Sequence, residues 1–101
     1  MKVYISGPMT GYPNHNFDAF MDAETRLRAL GNEPINPARH GADPAKSWAD
    51  YLRTDLLDVL GSEAVALLDG WEASRGARLE VHVAQALGMS TMPLALWKAT
   101  A

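Results

Sequence analysis

The sequence predicts a small three-layer α/β domain, doubly wound, with about four parallel strands in the order 2-1-3-4 and three main helices. Two observations carry that expectation. Short, β-prone apolar runs alternate with longer segments of helical period along the 101 residues, which is the pattern of a parallel sheet covered on both faces. The runs at Lys2–Ser6 and Glu63–Leu68 are also mostly apolar, as strands buried on both sides read. At this length the chain is expected to form one domain, residues 1–101, with a real but modest core.

Taken in order, Lys2-Val3-Tyr4-Ile5-Ser6 is a buried strand that runs into a breaker-rich loop, Gly7 to Asn14. From about Asn16, the residues Phe17, Phe20, Met21, Leu27 and Leu30 form the stripe of a first helix, which Gly31 ends. Glu33-Pro34-Ile35-Asn36 is a weak strand, and its proline argues for a sheet edge. Pro37 to Asp43 reads as loop. Asp43 and Pro44 read as the N-cap and first-turn pair of a second helix running to about Leu60. Its stripe is Ala45, Trp48, Leu52, Leu56 and Val59. Glu63–Leu68 is a central strand and Asp69–Ala73 its exit loop. Ser74 caps a third helix that Gly88 stops, and Thr91 to Leu96 is the last strand. This winding is flavodoxin-like. In such folds ligands sit beyond the carboxyl ends of the strands, which puts the Gly7–Asn14 and Asp69–Ala73 loops at the mouth of a site.

Two acids break the helical patterning. Winding the third helix at roughly 100° per residue puts Leu79, Val83, Leu87, Gly76 and Ala84 on one side and Arg75, Arg78, His82 and Gln85 on the other. Glu80 falls between Leu87 and Ala84, inside the apolar side. A buried carboxylate is costly unless it is compensated, and the small neighbours Gly76, Ala77 and Ala84 leave room for a ligand. On the second helix Asp55 falls close to Trp48 and Val59, whereas Asp58 lies to one side and reads as solvated. Either acid alone is ordinary. Two in one small domain favour a site, because carboxylates in different environments suit nucleophile and acid roles.

Other classes are disfavoured. A net charge of −3 gives no electrostatic footprint for a nucleic-acid polymer. There is no cysteine, hence no thiol nucleophile or disulfide frame. His15, His40 and His82 show no ligand spacing, so neither metal nor cofactor is expected. Met1–Ser6 is far too short to span a membrane, so no membrane partner is expected and cytoplasmic location is the default. His15 reads as a surface loop residue. Arg75, Arg78 and the Asp22/Arg26 pair read as solvated faces.

The runs Val3-Tyr4-Ile5-Ser6-Gly7-Pro8-Met9-Thr10-Gly11, then Asn16-Phe17 with Phe20, then Leu67-Leu68-Asp69-Gly70-Trp71-Glu72-Ala73-Ser74-Arg75-Gly76-Ala77-Arg78-Leu79-Glu80 resemble a family of small phage and bacterial proteins of uncertain function. That family is in turn similar to the nucleoside 2-deoxyribosyltransferase superfamily, which includes the 2'-deoxynucleoside 5'-monophosphate N-glycosidases. The resemblance implies roles for particular residues. Glu80 matches the glutamate that attacks the anomeric carbon of deoxyribose and forms a glycosyl ester. Asp55 matches the aspartate that handles the leaving base, and Tyr4 the tyrosine that holds the glutamate. Ser74-x-Gly76 matches the nucleotide hydrolases, whose serine there contacts the 5'-phosphate. Substrate contacts are expected from Ser6, Gly7, Pro8 and Met9 in the first loop, from Asp69, Gly70 and Trp71 in the second, and from Ser74 and Gly76. Trp71 is either a wall for the base or a loop anchor. One departure stands out: the nucleotide hydrolases carry a further serine and an arginine in the first loop, where this chain has Pro8 and Thr10. This implies a weaker phosphate pocket or a different ligand.

The implied function is cleavage or transfer of an N-glycosidic bond in a nucleoside or deoxynucleoside or its 5'-monophosphate, through a glutamate nucleophile. Water on the glycosyl ester gives hydrolysis, and a second base gives transfer. The alternative is a non-catalytic module, a sensor or sponge, holding a nucleotide-like ligand on the same fold. The expected partners are a small-molecule nucleoside or nucleotide and a second copy of the chain. Relatives complete their sites across subunits, and Trp97 and the helix carrying Trp48 offer apolar surface for a homodimer or larger assembly.

Overall fold

Four consecutive residues, Val3 to Ser6, have no exposed surface. They belong to β1 (Lys2–Ser6), which is covered on both faces and flanked on both edges. Its neighbours are β2 (Glu33–Ile35) on one side and β3 (Ala64–Leu67) on the other, with β4 (Ser90–Pro93) beyond β3. All pairings are parallel, with Tyr4 opposite both Ile35 and Val65, and Ser6 opposite Leu67. The order 2-1-3-4 is the predicted one. The computed structural model describes residues 1–41 and 43–98.

Alternation along β1 sorts the core into two halves. Val3 and Ile5 pack with Phe20, Ala23 and Leu27 of α1 (Phe17–Ala29). Tyr4 packs with Val59 of α2 (Trp48–Leu60) and with Val81 and Ala84 of α3 (Arg75–Ala86). Gly7, just past β1, has no room for a side chain: a Cβ there would lie 2.6 Å from Leu68 Cβ. This approach joins the exits of β1 and β3, where Leu68 N also donates to Ser6 O at 2.9 Å. None of the described helices is long and apolar enough to cross a membrane.

The structure corrects four local expectations. The second helix begins at Trp48, not at Asp43-Pro44. Ser47 Oγ accepts from Asp50 N at 3.1 Å and Asp50 Oδ2 accepts from Ser47 N at 3.0 Å, a reciprocal capping box that outcompetes the single Asp43 cap. The expected strand Thr91–Leu96 starts one residue earlier and stops at Pro93, after which Leu94–Leu96 makes a 3-10 turn. That turn brings Trp97 back onto the α1 side of the sheet. Its ring is buried among Val3, Phe20 and Leu27, and its Nε1 donates to Met92 O at 3.1 Å. Trp97 therefore offers no interface surface. Finally, α3 turns Ala77, Glu80, Val81 and Ala84 inward and leaves Leu79 and Leu87 exposed. Small side chains let the helix lie close to the sheet with Glu80 reaching β1, and the bulkier leucines are rotated outward.

Candidate active site

Tyr4 and Ser6 stand two residues apart on β1, so their side chains share a face. Both donate to one carboxylate: Tyr4 Oη to Glu80 Oε2 at 2.9 Å and Ser6 Oγ to Glu80 Oε1 at 2.8 Å. Glu80 is only 5% exposed. Burial pushes its carboxyl up to about 7, with the nearby Asp55 charge adding to the rise, while the Ser6 and Tyr4 hydroxyls pull it down. Burial, followed by the Glu80 charge, holds the Tyr4 phenol well above its ordinary value. Tyr4 is therefore a fixed donor.

Glu80 lies on a cleft of about 640 Å³ whose walls come from the carboxyl ends of the strands and the helices beyond them, where a doubly wound sheet binds ligands. The first loop supplies Gly7, Pro8, Met9 and Thr10. The start of α3 supplies Ser74, Arg75, Gly76 and Ala77, and α2 supplies Trp48, Tyr51, Leu52 and Asp55. Asp55 is half-buried. Its carboxyl is pushed up to about 6 by burial, with the His40 charge pulling down and the Asp58 charge pushing up. A Cβ on Gly76 would meet nothing within 4 Å. This glycine thus leaves space on the cleft wall and is not demanded by helix–sheet contact. Ser74 caps α3, its Oγ accepting from Ala77 N at 3.2 Å. The amides of Arg75 and Gly76 lie in the first turn, which has no intrahelical acceptors.

The sequence-predicted residues divide into three groups. Glu80, Asp55, Tyr4, Gly7, Pro8, Met9, Ser74 and Gly76 converge on the cleft. Ser6 is behind it, fully buried and engaged with Glu80. Asp69 and Gly70 border a different depression, between the second loop, α1 and the Leu94–Leu96 turn, and Trp71 packs half-buried against the Tyr4–Val81 half of the core. Trp71 does not line the cleft.

Several lining residues were not foreseen. Tyr12, His15, Phe17, Trp48 and Tyr51 give the cleft an aromatic wall. His15 reaches it from a turn in which Asn14, His15 and Asn16 all have left-handed backbones (φ 50, 53 and 61), a local strain at the mouth. Asn16 secures that turn, Nδ2 donating to Pro8 O at 2.9 Å. Arg75 stacks its guanidinium 4.2 Å from the centre of the Trp48 ring. A signal for Arg75 did exist, since a cation in the first turn of a helix opposes the helix dipole. His40, isolated in sequence, comes next to Asp58, with Nε2 2.7 Å from Oδ2. Asp58, expected to be solvated, is half-buried.

Residues 1–92 match the family described as Domain of unknown function (DUF4406). No curated protein matches the chain. Among solved structures, the fold is similar to that of a 2-deoxyribosyltransferase from the psychrotolerant bacterium Bacillus psychrosaccharolyticus. The TM-score is 0.72 and the identity 19%, over 92% of this chain and 71% of that one.

Proposed function

The chain belongs to the DUF4406 family, and from the geometry of its cleft we propose that it cleaves or transfers the N-glycosidic bond of a deoxynucleoside or its 5'-monophosphate. The observation that carries this reading is the Glu80 carboxylate, buried at the cleft and fixed through both oxygens by Tyr4 and Ser6, with a second carboxyl, Asp55, on the same cleft. The fold shared with a 2-deoxyribosyltransferase supports it at the level of architecture.

In the proposed reaction Glu80 attacks the anomeric carbon of the sugar. The bond to the base breaks, and Asp55 gives its proton to a ring nitrogen of the leaving base. Water or a second base, deprotonated by Asp55, then attacks the glycosyl ester and frees Glu80. This is the division of labour of a retaining glycosidase. The aromatic wall, with Trp48 and Tyr51, is suited to stacking a base. The Ser74 cap and the cation of Arg75 are suited to a 5'-phosphate, supplying the positive charge that Pro8 and Thr10 do not.

The test is a panel of deoxynucleosides and their 5'-monophosphates, incubated with wild type and Glu80→Gln and read by chromatography of free base. Release by the wild type, with loss of nearly all turnover in Glu80→Gln, is the expected result. Equal rates would remove Glu80 as nucleophile. The second outcome is binding without turnover. It predicts that a nucleotide raises the melting temperature and is recovered intact.

A further inference from the structure

One cluster of titratable side chains beside the cleft has no part in the reaction as written. His40 closes the turn Pro37–His40 and directs its ring Nε2 at Asp58 Oδ2, 2.7 Å away. Asp58 follows Asp55 by three residues on α2, so the two carboxylates share a helix face. One ring nitrogen of His40 and one oxygen from each aspartate all lie within 4.8 Å of one another. Asp55 lines the cleft, whereas His40 and Asp58 do not. They stand next to Asp55, and the His40 side chain is 37% exposed to solvent.

We propose that His40 and Asp58 form a counter-charge pair that acts through Asp55, Asp58 orienting the imidazole and His40 cancelling the charge that Asp58 sets beside Asp55. The inference rests on the glycosidic reading for its purpose. There Asp55 must first give a proton and then take one, so neither its acid nor its carboxylate form can be strongly disfavoured. Two carboxylates on one helix face would otherwise lock the buried one in its protonated form. When the His40 imidazole carries both its protons, its pair with Asp58 is electrically neutral and leaves Asp55 free to exchange.

The other charged and titratable groups facing Asp55 are distributed around it. Tyr4 comes from β1 and Glu80 from α3. Tyr51 is on α2, one turn before Asp55, and its hydroxyl donates to Asp43 O at 2.8 Å. Arg75 lines the same cleft from the start of α3, and Tyr12 and His15 line it from the first loop and the turn that follows. His40 and Asp58 differ from these in standing outside the cleft, so their removal changes Asp55 without removing a ligand contact.

The pair predicts shifts of opposite sign. Carbon-13 NMR of the full chain, labelled at aspartate carboxyls and with Asp55 assigned by the signal lost in Asp55→Asn, follows its titration directly. His40→Gln is expected to raise the Asp55 midpoint by roughly half a pH unit or more, and Asp58→Asn to lower it by a similar amount. With a nucleotide that releases base, the pH profile of kcat/KM should move in the same two directions, most on its acid limb, while KM stays within about twofold. Both side chains reach solvent, and circular dichroism confirms that the variants keep the fold. Unmoved midpoints, or two shifts of the same sign, would overturn the proposal and leave the pair as a tie between the turn and α2. If the wild type releases no base but the midpoints still shift apart, the counter-charge pair stands and the glycosidic reading falls.

Discussion

Glu80 and Asp55 are two carboxyls with different surroundings, and the reaction proposed for them sets a pH dependence. Glu80 must be ionised to attack, and Asp55 must hold a proton to release the base. With values pushed up to about 7 and about 6, the coupled pair carries one proton between those limits, and the productive form is the fraction with that proton on Asp55. kcat/KM is therefore expected to be bell-shaped, with its maximum between about 6 and about 7. Below that range both groups are protonated and the nucleophile is lost, and above it both are ionised and the acid is lost. Glu80 also makes the fold pH-sensitive. Its folded value lies above its ordinary one, so the native state binds the extra proton, and this stabilisation is lost as pH rises through about 7. At pH 8 the buried charge costs on the order of 3 kcal/mol. Glu80→Gln should melt several degrees above wild type at pH 8 and close to it at pH 4.5, read by calorimetry. Arg75 gives a separate test of substrate class. Arg75→Ala should weaken a 5'-monophosphate roughly tenfold and leave the matching nucleoside unchanged, by titration calorimetry. Equal losses for both would assign Arg75 to the base through its stack on Trp48.

The helix starts separate structural from functional polar groups. Ser47 and Asp50 cap α2 reciprocally on an exposed surface, and Ser74 caps α3 at the cleft. Ser47→Ala should lose about 1 kcal/mol of stability and leave ligand binding intact. Ser74→Ala should lose a similar amount and also weaken binding of a 5'-monophosphate. Denaturant titration with and without ligand distinguishes the two. If Ser74→Ala binds the monophosphate as wild type does, the start of α3 is not the phosphate site.

The whole molecule leaves apolar surface on its outer helices. Leu57 and Leu60 of α2, Leu79 of α3 and Leu87 just past its end are all exposed, Leu57 at 69%. These, with the half-exposed Trp48, replace Trp97 as the surface on which a second copy is expected to dock. Light scattering at micromolar concentration should give at least twice the monomer mass of 11.0 kDa, and Leu57→Asp with Leu87→Asp should return the monomer. A monomeric wild type would remove the assembly.

The periodicity of the chain marked the strands, the three helices and the parallel sheet, because runs buried on both faces and helices with one apolar side admit few arrangements. It also marked Glu80 and Asp55, since an acid within an apolar stripe shows in one dimension. Glu24 shows where that signal ends. It is equally buried on α1, yet it is paired with Arg39, whose Nε lies 3.1 Å from Oε1. That pairing, first through the Arg39 hydrogen bond, lowers its carboxyl, so the acid is structural. Only the tertiary structure tells the two kinds apart, because the partner comes from fifteen residues away, on the far side of β2. The same holds for Ser6 on Glu80, Arg75 on Trp48 and His40 on Asp58. Each contact depends on the packing of one element against another, by which α3 turned its leucines outward to bring a carboxylate to β1.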